Sequence, residues 1–415
     1  MRKTLFAAVA LAPLWFLAQT EVRAQTTISN STSTPITTAA DGDIIINAGG
    51  SINPKGAGTA AITVNSSNSV TNGGSLSYKD VNSVAGVLIL GGNTVAAGAT
   101  PPAINNSGTI SVTESFTASD NNKDGVNEAP FASPTSAGRY GIRLAPDSGT
   151  FIGSIVNSGA INVQGSSAGG APSFGISLES PLQGSVSTSG TITYVGDGGG
   201  GLQETAGVSG GISITGTISA TGAHSPTSTY LGANAVVLSG PVGGSLSIYS
   251  ALTSTGYGLT TRTTSPTSLN TIQNTASEIQ QGGSAVVVSG SVAGGIFLAA
   301  PPATTNSTDV TTDADGDGII DSAEATGTIT TSGSAPALVI GGVTGSPITI
   351  GGFSTVTSDN PNNGASLILE GTVEGAGVYD GQSATAVQIG GLGGATTFTG
   401  GLRITGTVEA DSYGA

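Results

Sequence analysis

The sequence predicts an all-β parallel β-helix, a β-solenoid carrying polar loop insertions, and three observations lead there. The first is a repeat. The stretch Ala285 to Leu298 (A-V-V-V-S-G-S-V-A-G-G-I-F-L) has sisters at Ala235 to Leu246, Ala337 to Val343 and Ala386 to Leu392. Their last apolar positions, Leu238, Val288, Ile340 and Ile389, are spaced by 50, 52 and 49 residues. A period of this size is the signature of a repeat architecture. The second is a shorter motif, an Asn or Thr step followed by Gly-Thr-Ile or a near copy. It appears at Asn105 to Ile110, Asn157 to Ile161, Thr188 to Ile192, Thr215 to Ile218, Thr326 to Ile329, Gly371 to Val373 and Thr405 to Val408. The third is the strand-like spacing. Short β-branched runs recur every 8 to 15 residues between Gly, Asn, Ser and Pro, and no stretch has a capped helical period.

Tyr140-Gly141-Ile142-Arg143-Leu144 and Phe174-Gly175-Ile176-Ser177-Leu178 extend the first motif toward the N-terminus. A sandwich or barrel has no need of a 50-residue repeat, whereas in a solenoid each coil closes its core only against its neighbours. The spacing predicts about two coils per period. That corresponds to about 15 coils and a rod of about 70 Å at about 4.8 Å per coil.

In chain order, Arg2 and Lys3 precede an apolar run from Thr4 to Leu17, and Val22-Arg23-Ala24 offers a small residue before Gln25. Residues 1–24 therefore read as a secretory signal peptide, too short to span a membrane. Residues 25–415 form the repeat region, with 25 to about 60 as its capping turn and polar insertions near 114–139 and 301–325.

Removing residues 1–24 takes three of the ten bases and one of the 25 acids, leaving a formal charge of −17. That balance argues against nucleic acid or anionic lipid as a partner, since both need clustered Lys and Arg. There is no cysteine, hence no disulfide or thiolate metal site. An apolar content of 37% in β-branched runs separates the chain from disordered Gly/Ser/Thr sequences.

The sharpest local signal is Asp313 to Glu324, D-A-D-G-D-G-I-I-D-S-A-E, which fits the spacing of an EF-type calcium loop. Asp313, Asp315 and Asp317 would supply side-chain oxygens and Ile319 its carbonyl. Asp321 would bind directly or through water, and Glu324 with both oxygens. Helices should flank a true EF-hand, whereas here a Pro/Thr-rich segment precedes and a β-repeat follows. A weaker copy runs over Asp120, Asn122, Asp124, Val126 and Glu128, with Phe131 where the bidentate acid belongs. A plain polar turn accounts for it equally well.

The single histidine, His224, lies among Gly, Ser and Pro and makes a poor catalytic base. Glu179 and Glu204 are the candidate carboxylates for a glycosidase or lyase, though no aromatic platform surrounds them in sequence.

The A-V-V-V-S-G-S-V-A-G-G-I-F-L unit, the acidic loop and the following G-T-I-T, together with the N-terminal segment, resemble the passenger repeats of bacterial autotransporters. The resemblance covers nearly the whole chain. It implies an exported β-helix at the cell surface, outer membrane or outside the cell, acting in adhesion to a host, neighbouring-cell or matrix surface. Family members carry a C-terminal outer-membrane barrel. The residues up to Ala415 still read as repeat, so the resemblance implies a piece of a longer protein, attached to a membrane only through such a barrel. A secreted polysaccharide-acting β-helix enzyme and an S-layer or matrix component are the alternatives.

Overall fold

The computed structural model describes residues 24–413 apart from 122, 124, 126, 168–169, 223–231, 257–258, 263–281, 302–311, 314–319, 356–359 and 361. Three parallel sheets run the length of the chain, with 11, 11 and 10 strands, here called A, B and C. The chain visits them in the order A, B, C on every coil: Ser154–Asn157 in A, Ala160–Gln164 in B and Phe174–Leu178 in C, then Val186–Thr188 in A again. The fold is the parallel β-helix that the repeat predicts.

The register shows how the core is made. In sheet B, Ile52, Leu76, Ile110, Ile161, Ile192, Ile218, Leu252, Ile329, Val373 and Val408 stack in one unbroken column. Sheet A contributes Ile44, Val70, Ile104, Ile155, Val186, Ile212, Leu246, Ile296, Leu367 and Leu402. Alternate residues of a strand face opposite sides of its sheet, so each strand offers two or three inward side chains, too few to shield themselves. Stacked on their neighbours they form one continuous apolar interior as far as the last rung, where Leu402 and Val408 are exposed.

The two sequence motifs are the two halves of one coil. Leu238, Val288, Ile340 and Ile389 are direct neighbours in sheet C, so each 50-residue period is a single coil rather than the two inferred from spacing. The long period reflects long connections. Earlier coils advance by as few as 18 residues, as from Gln25 to Asp43. Eleven rungs at about 4.8 Å make a rod of about 50 Å. Residues 25–60 form the first rungs of the array, starting with Gln25–Ile28 and Ser31–Thr32.

The Gly-Thr-Ile motif is the corner from sheet A to sheet B. There, the Ser158 and Gly159 amides both donate to the Asn106 carbonyl of the coil below. A Cβ on Gly190 would lie 1.9 Å from the Gly159 carbonyl oxygen and 2.6 Å from the Ser158 carbonyl carbon. Only glycine lets successive corners stack this closely. Gly190→Ala should therefore cost about 1–3 kcal/mol, whereas Gly56→Ala, whose Cβ meets only Thr59 at 3.9 Å, should be nearly neutral. Urea midpoints for the pair test this, and equal midpoints would refute the corner argument.

Beside this corner, a second inward column of sheet A carries Asn72, Asn106, Asn157 and Thr188 as a buried side-chain ladder, bonded at 2.7, 2.7 and 3.0 Å. Further along, the same column returns to Ile214, Ile248, Leu298 and Leu369.

A fourth line of contacts runs along the corner from C to A: Phe151, Leu182, Val208, Val242, Val292, Ile350 and Phe398 pair one above the next. The valine of the S-G-P-V and S-G-S-V motifs thus fills a dedicated column of its own.

Candidate functional site

Connections differ sharply between corners. Most A-to-B corners are the tight glycine turn. The B-to-C connections vary from the short 196–199 to the long 114–138 and 256–285, and one A-to-B connection, 299–327, is comparably long. In solenoids, insertions often form the binding face. The best organised of the long connections, among the described residues, is 114–138.

It is tied to the body by a buried ion pair. Arg139 Nη1 donates to Glu114 Oε2 at 2.6 Å, and the two side chains are 4% and 3% exposed. The same nitrogen donates to the Gln164 carbonyl at 2.8 Å, and Nε donates to the Val81 carbonyl and Asn82 Oδ1. Glu114 Oε1 accepts the Ser133 amide at 2.6 Å. Gln164 Nε2 donates to the Phe116 carbonyl at 2.9 Å, and buried Phe131 anchors the returning limb. Behind this lies Tyr194, whose hydroxyl donates to the Gly165 carbonyl at 2.6 Å and whose phenol is pushed well above its usual range by burial.

These groups surround a cavity of about 280 Å³ lined by Asp80, Asn82, Glu114, Phe116, Thr135 and Arg139 among others. Asp80 sits at its rim with φ of 59°, a left-handed conformation uncommon outside glycine, and its carboxylate accepts both the hydroxyl and the amide of Ser115. Those bonds, the hydroxyl first, hold its carboxyl below the usual range.

The weaker calcium-like segment lies on this same connection. Asp120 Oδ2 accepts the Gly125 amide at 2.9 Å, and buried Glu128 accepts the Asn121 amide at 2.8 Å while its backbone pairs with Ser119 in an isolated antiparallel bridge. Both acids thus hold the backbone of their own turn. Asn122, Asp124 and Val126 lie outside the described residues.

Of the main loop, Asp315, Asp317 and Ile319 also lie outside the described residues, as does His224. Asp313 is described. Asp321 is buried, opens the 3-10 turn Asp321–Ala323, and donates its amide to the Thr312 carbonyl at 2.8 Å. Both carboxylate oxygens of Glu324 are shielded from solvent. Among the described residues no three acids come together in a group that could hold a metal ion, so Asp313, Asp321 and Glu324 share only their donor chemistry, carboxylate oxygen of the kind a hard cation takes. Sheet B resumes at Thr328–Ser332, in keeping with a loop that lacks the second helix of an EF-hand.

The two carboxylates considered for glycoside chemistry do not meet. Glu204 pairs with Leu178 in sheet C and points inward, occupying the column of Leu144, Leu178, Leu238 and Val288. Glu179 follows Leu178 on the opposite face. There it receives a bidentate grip from Arg143 at 2.7 and 2.9 Å, and Arg143 in turn stacks over Tyr140. A sheet separates the two acids.

Glu204 was legible in sequence only as an acid, and its burial is the surprise. It is 0% exposed and accepts backbone amides of Ala206, Gly207 and Gly240, so it caps the C-to-A corner of two successive coils. Burial raises its pKa from 4.5 to about 6, against the opposing effect of those amides. The folded state therefore holds this proton more tightly than the unfolded state. Its contribution favours folding most below pH 4.5 and is lost as pH rises toward 6, a change of about 2 kcal/mol. Glu204→Gln should abolish that component. Urea unfolding at pH 4.5 and 6.5 checks it, and parallel pH dependences in the two proteins would contradict it.

Comparison with known protein families, curated protein sequences and solved structures returns no match to this chain. The fold described above is a parallel β-helix with long connections at more than one of its corners. Function has to be argued from that geometry.

Proposed function

We propose that this chain is the surface-displayed passenger of an autotransporter-like protein, a rod that presents its long connections to a host, neighbouring-cell or matrix surface. The observation that carries the reading is a narrow, continuous core with long polar connections at its corners, among them 114–138 between sheets B and C and 299–327 between sheets A and B. Such a core holds loops at fixed spacing without large domains, and the acidic, cysteine-free composition suits a soluble exported surface. The apolar segment before Gln25 supports export, and the passenger resemblance supports display. Calcium bound by Asp313, Asp315, Asp317, Ile319, Asp321 and Glu324 would stiffen the 301–325 insertion.

Display is tested in the source organism with an epitope inserted at exposed Thr117. Labelling of intact cells, with a mature N-terminus at Gln25, is expected. Labelling only after lysis, with residues 1–24 retained, would refute it. The calcium component is tested by titration calorimetry on the full chain and on Asp317→Ala/Glu324→Ala. Wild type should bind with a Kd of about 10⁻⁴ to 10⁻³ M, as extracellular sites do, and the variant should not. Equal heats in both would remove the calcium proposal and leave the display proposal standing.

A further inference from the structure

We infer that the cavity between the 80–83 turn and the 114–138 connection is a binding site for a neutral monosaccharide, with Arg139, Asp80, Thr135 and Phe116 as its contacts. The inference concerns this pocket alone and does not depend on where the protein resides.

The first observation is an unused donor. Nε of Arg139 is taken by Val81 and Asn82, and Nη1 by Glu114 and Gln164. Nη2 keeps two N–H groups with no acceptor among the described residues, on a side chain that lines the cavity. That edge is open to solvent in the cavity, so a ligand hydroxyl can accept from it in place of water.

The second is the complementary chemistry around it. The Asp80 oxygens each take one bond from Ser115 and retain further lone pairs at the rim. The Ser133 and Thr135 hydroxyls lie 3.0 Å apart and share one proton, leaving one O–H for a ligand. Phe116, half-buried and fixed through its carbonyl by Gln164, gives the wall an aromatic surface. Donors and acceptors side by side are what a sugar hydroxyl needs, since it accepts from Nη2 while donating to a carboxylate.

Charge and size narrow the class. Asp80 and Glu114 outnumber Arg139 in the cavity wall, which disfavours an anion. The exposed guanidinium edge disfavours a cation. At about 280 Å³ the cavity is at the small end of ligand sites, room for one sugar ring rather than a chain. The left-handed Asp80 fits the pattern of strained backbone held at binding sites.

Saturation-transfer NMR on the full chain with glucose, galactose, mannose and xylose tests this, with acetate as the anionic comparison. At least one sugar should receive transfer from wild type. Thr135→Trp, at an exposed rim position, should abolish it with an unchanged unfolding midpoint. Asp80→Asn, which tolerates the left-handed backbone, should weaken binding about tenfold. Should Thr135→Trp fail to fold, Asp80→Asn decides alone. No transfer to any of the four sugars, undiminished transfer in the variants, or binding of acetate in place of sugar would overturn the assignment.

Discussion

Replacing Glu114 by Ala should lower stability by about 3–5 kcal/mol, the largest single effect expected in this protein. Glu114 and Arg139 are nearly solvent-free, so the lost carboxylate strands a buried guanidinium and leaves the Ser133 amide without its acceptor. Glu114→Gln keeps the oxygen facing Ser133 and should cost less. The loss should be local in origin and global in effect, because Arg139 begins the sheet C strand Arg139–Leu144. Urea unfolding of the three proteins checks the order. A Glu114→Ala loss below about 1 kcal/mol would mean that the pair is solvated and that the 114–138 connection is held some other way.

Ile192→Ala should cost about 2–5 kcal/mol. Ile192 lies between Ile161 and Ile218 in sheet B, and its Cγ2 reaches across the core to where a Cβ on Gly175 would be, 2.4 Å away. The neighbouring coils repeat the arrangement, with Ile161 against Gly141 and Ile218 against Gly201. Cavities in such a column are poorly relieved, because the coils above and below are fixed by their own backbone ladders. Ile192→Val keeps the branch and should cost about 0.5–1.5 kcal/mol. Equal midpoints for the Ala and Val variants would show that the core can collapse around the gap.

These two sites show what a reader of the sequence can and cannot see. The Y-G-I-R-L and F-G-I-S-L motifs display the glycine, but not that it makes room for an isoleucine from another sheet. The apolar columns were legible because stacked identical positions force a repeat in the chain. The number of coils was not, since long connections stretch one coil to 50 residues and mimic two. Ile296, Phe297 and Leu298 read as a strand without alternation. The reason is that Phe353 and Tyr249 cover the outer face of Phe297, at 5.0 and 5.9 Å between rings. The cavity at Arg139 escaped notice altogether. Its residues come from positions 80 to 139 on successive coils, and nothing in local spacing marks a guanidinium whose charge is matched but whose last edge is not. The acidic motif at 313–324 was the most conspicuous chemistry in sequence, yet half of its ligand set lies outside the described residues.

The account stands on parallel, in-register stacking of consecutive coils, and a chain without cysteine offers a clean test. Thr193, Ser219 and Thr253 are successive outward positions in sheet B. Thiols introduced at 193 and 219 should be about 4.8 Å apart at the backbone and those at 193 and 253 about twice that. Dibromobimane, which fluoresces strongly only when both arms react, should bridge the 193/219 pair and leave the 193/253 pair dark. Bridging of 193/253 in preference to 193/219, or of neither, would contradict the stacked-coil architecture.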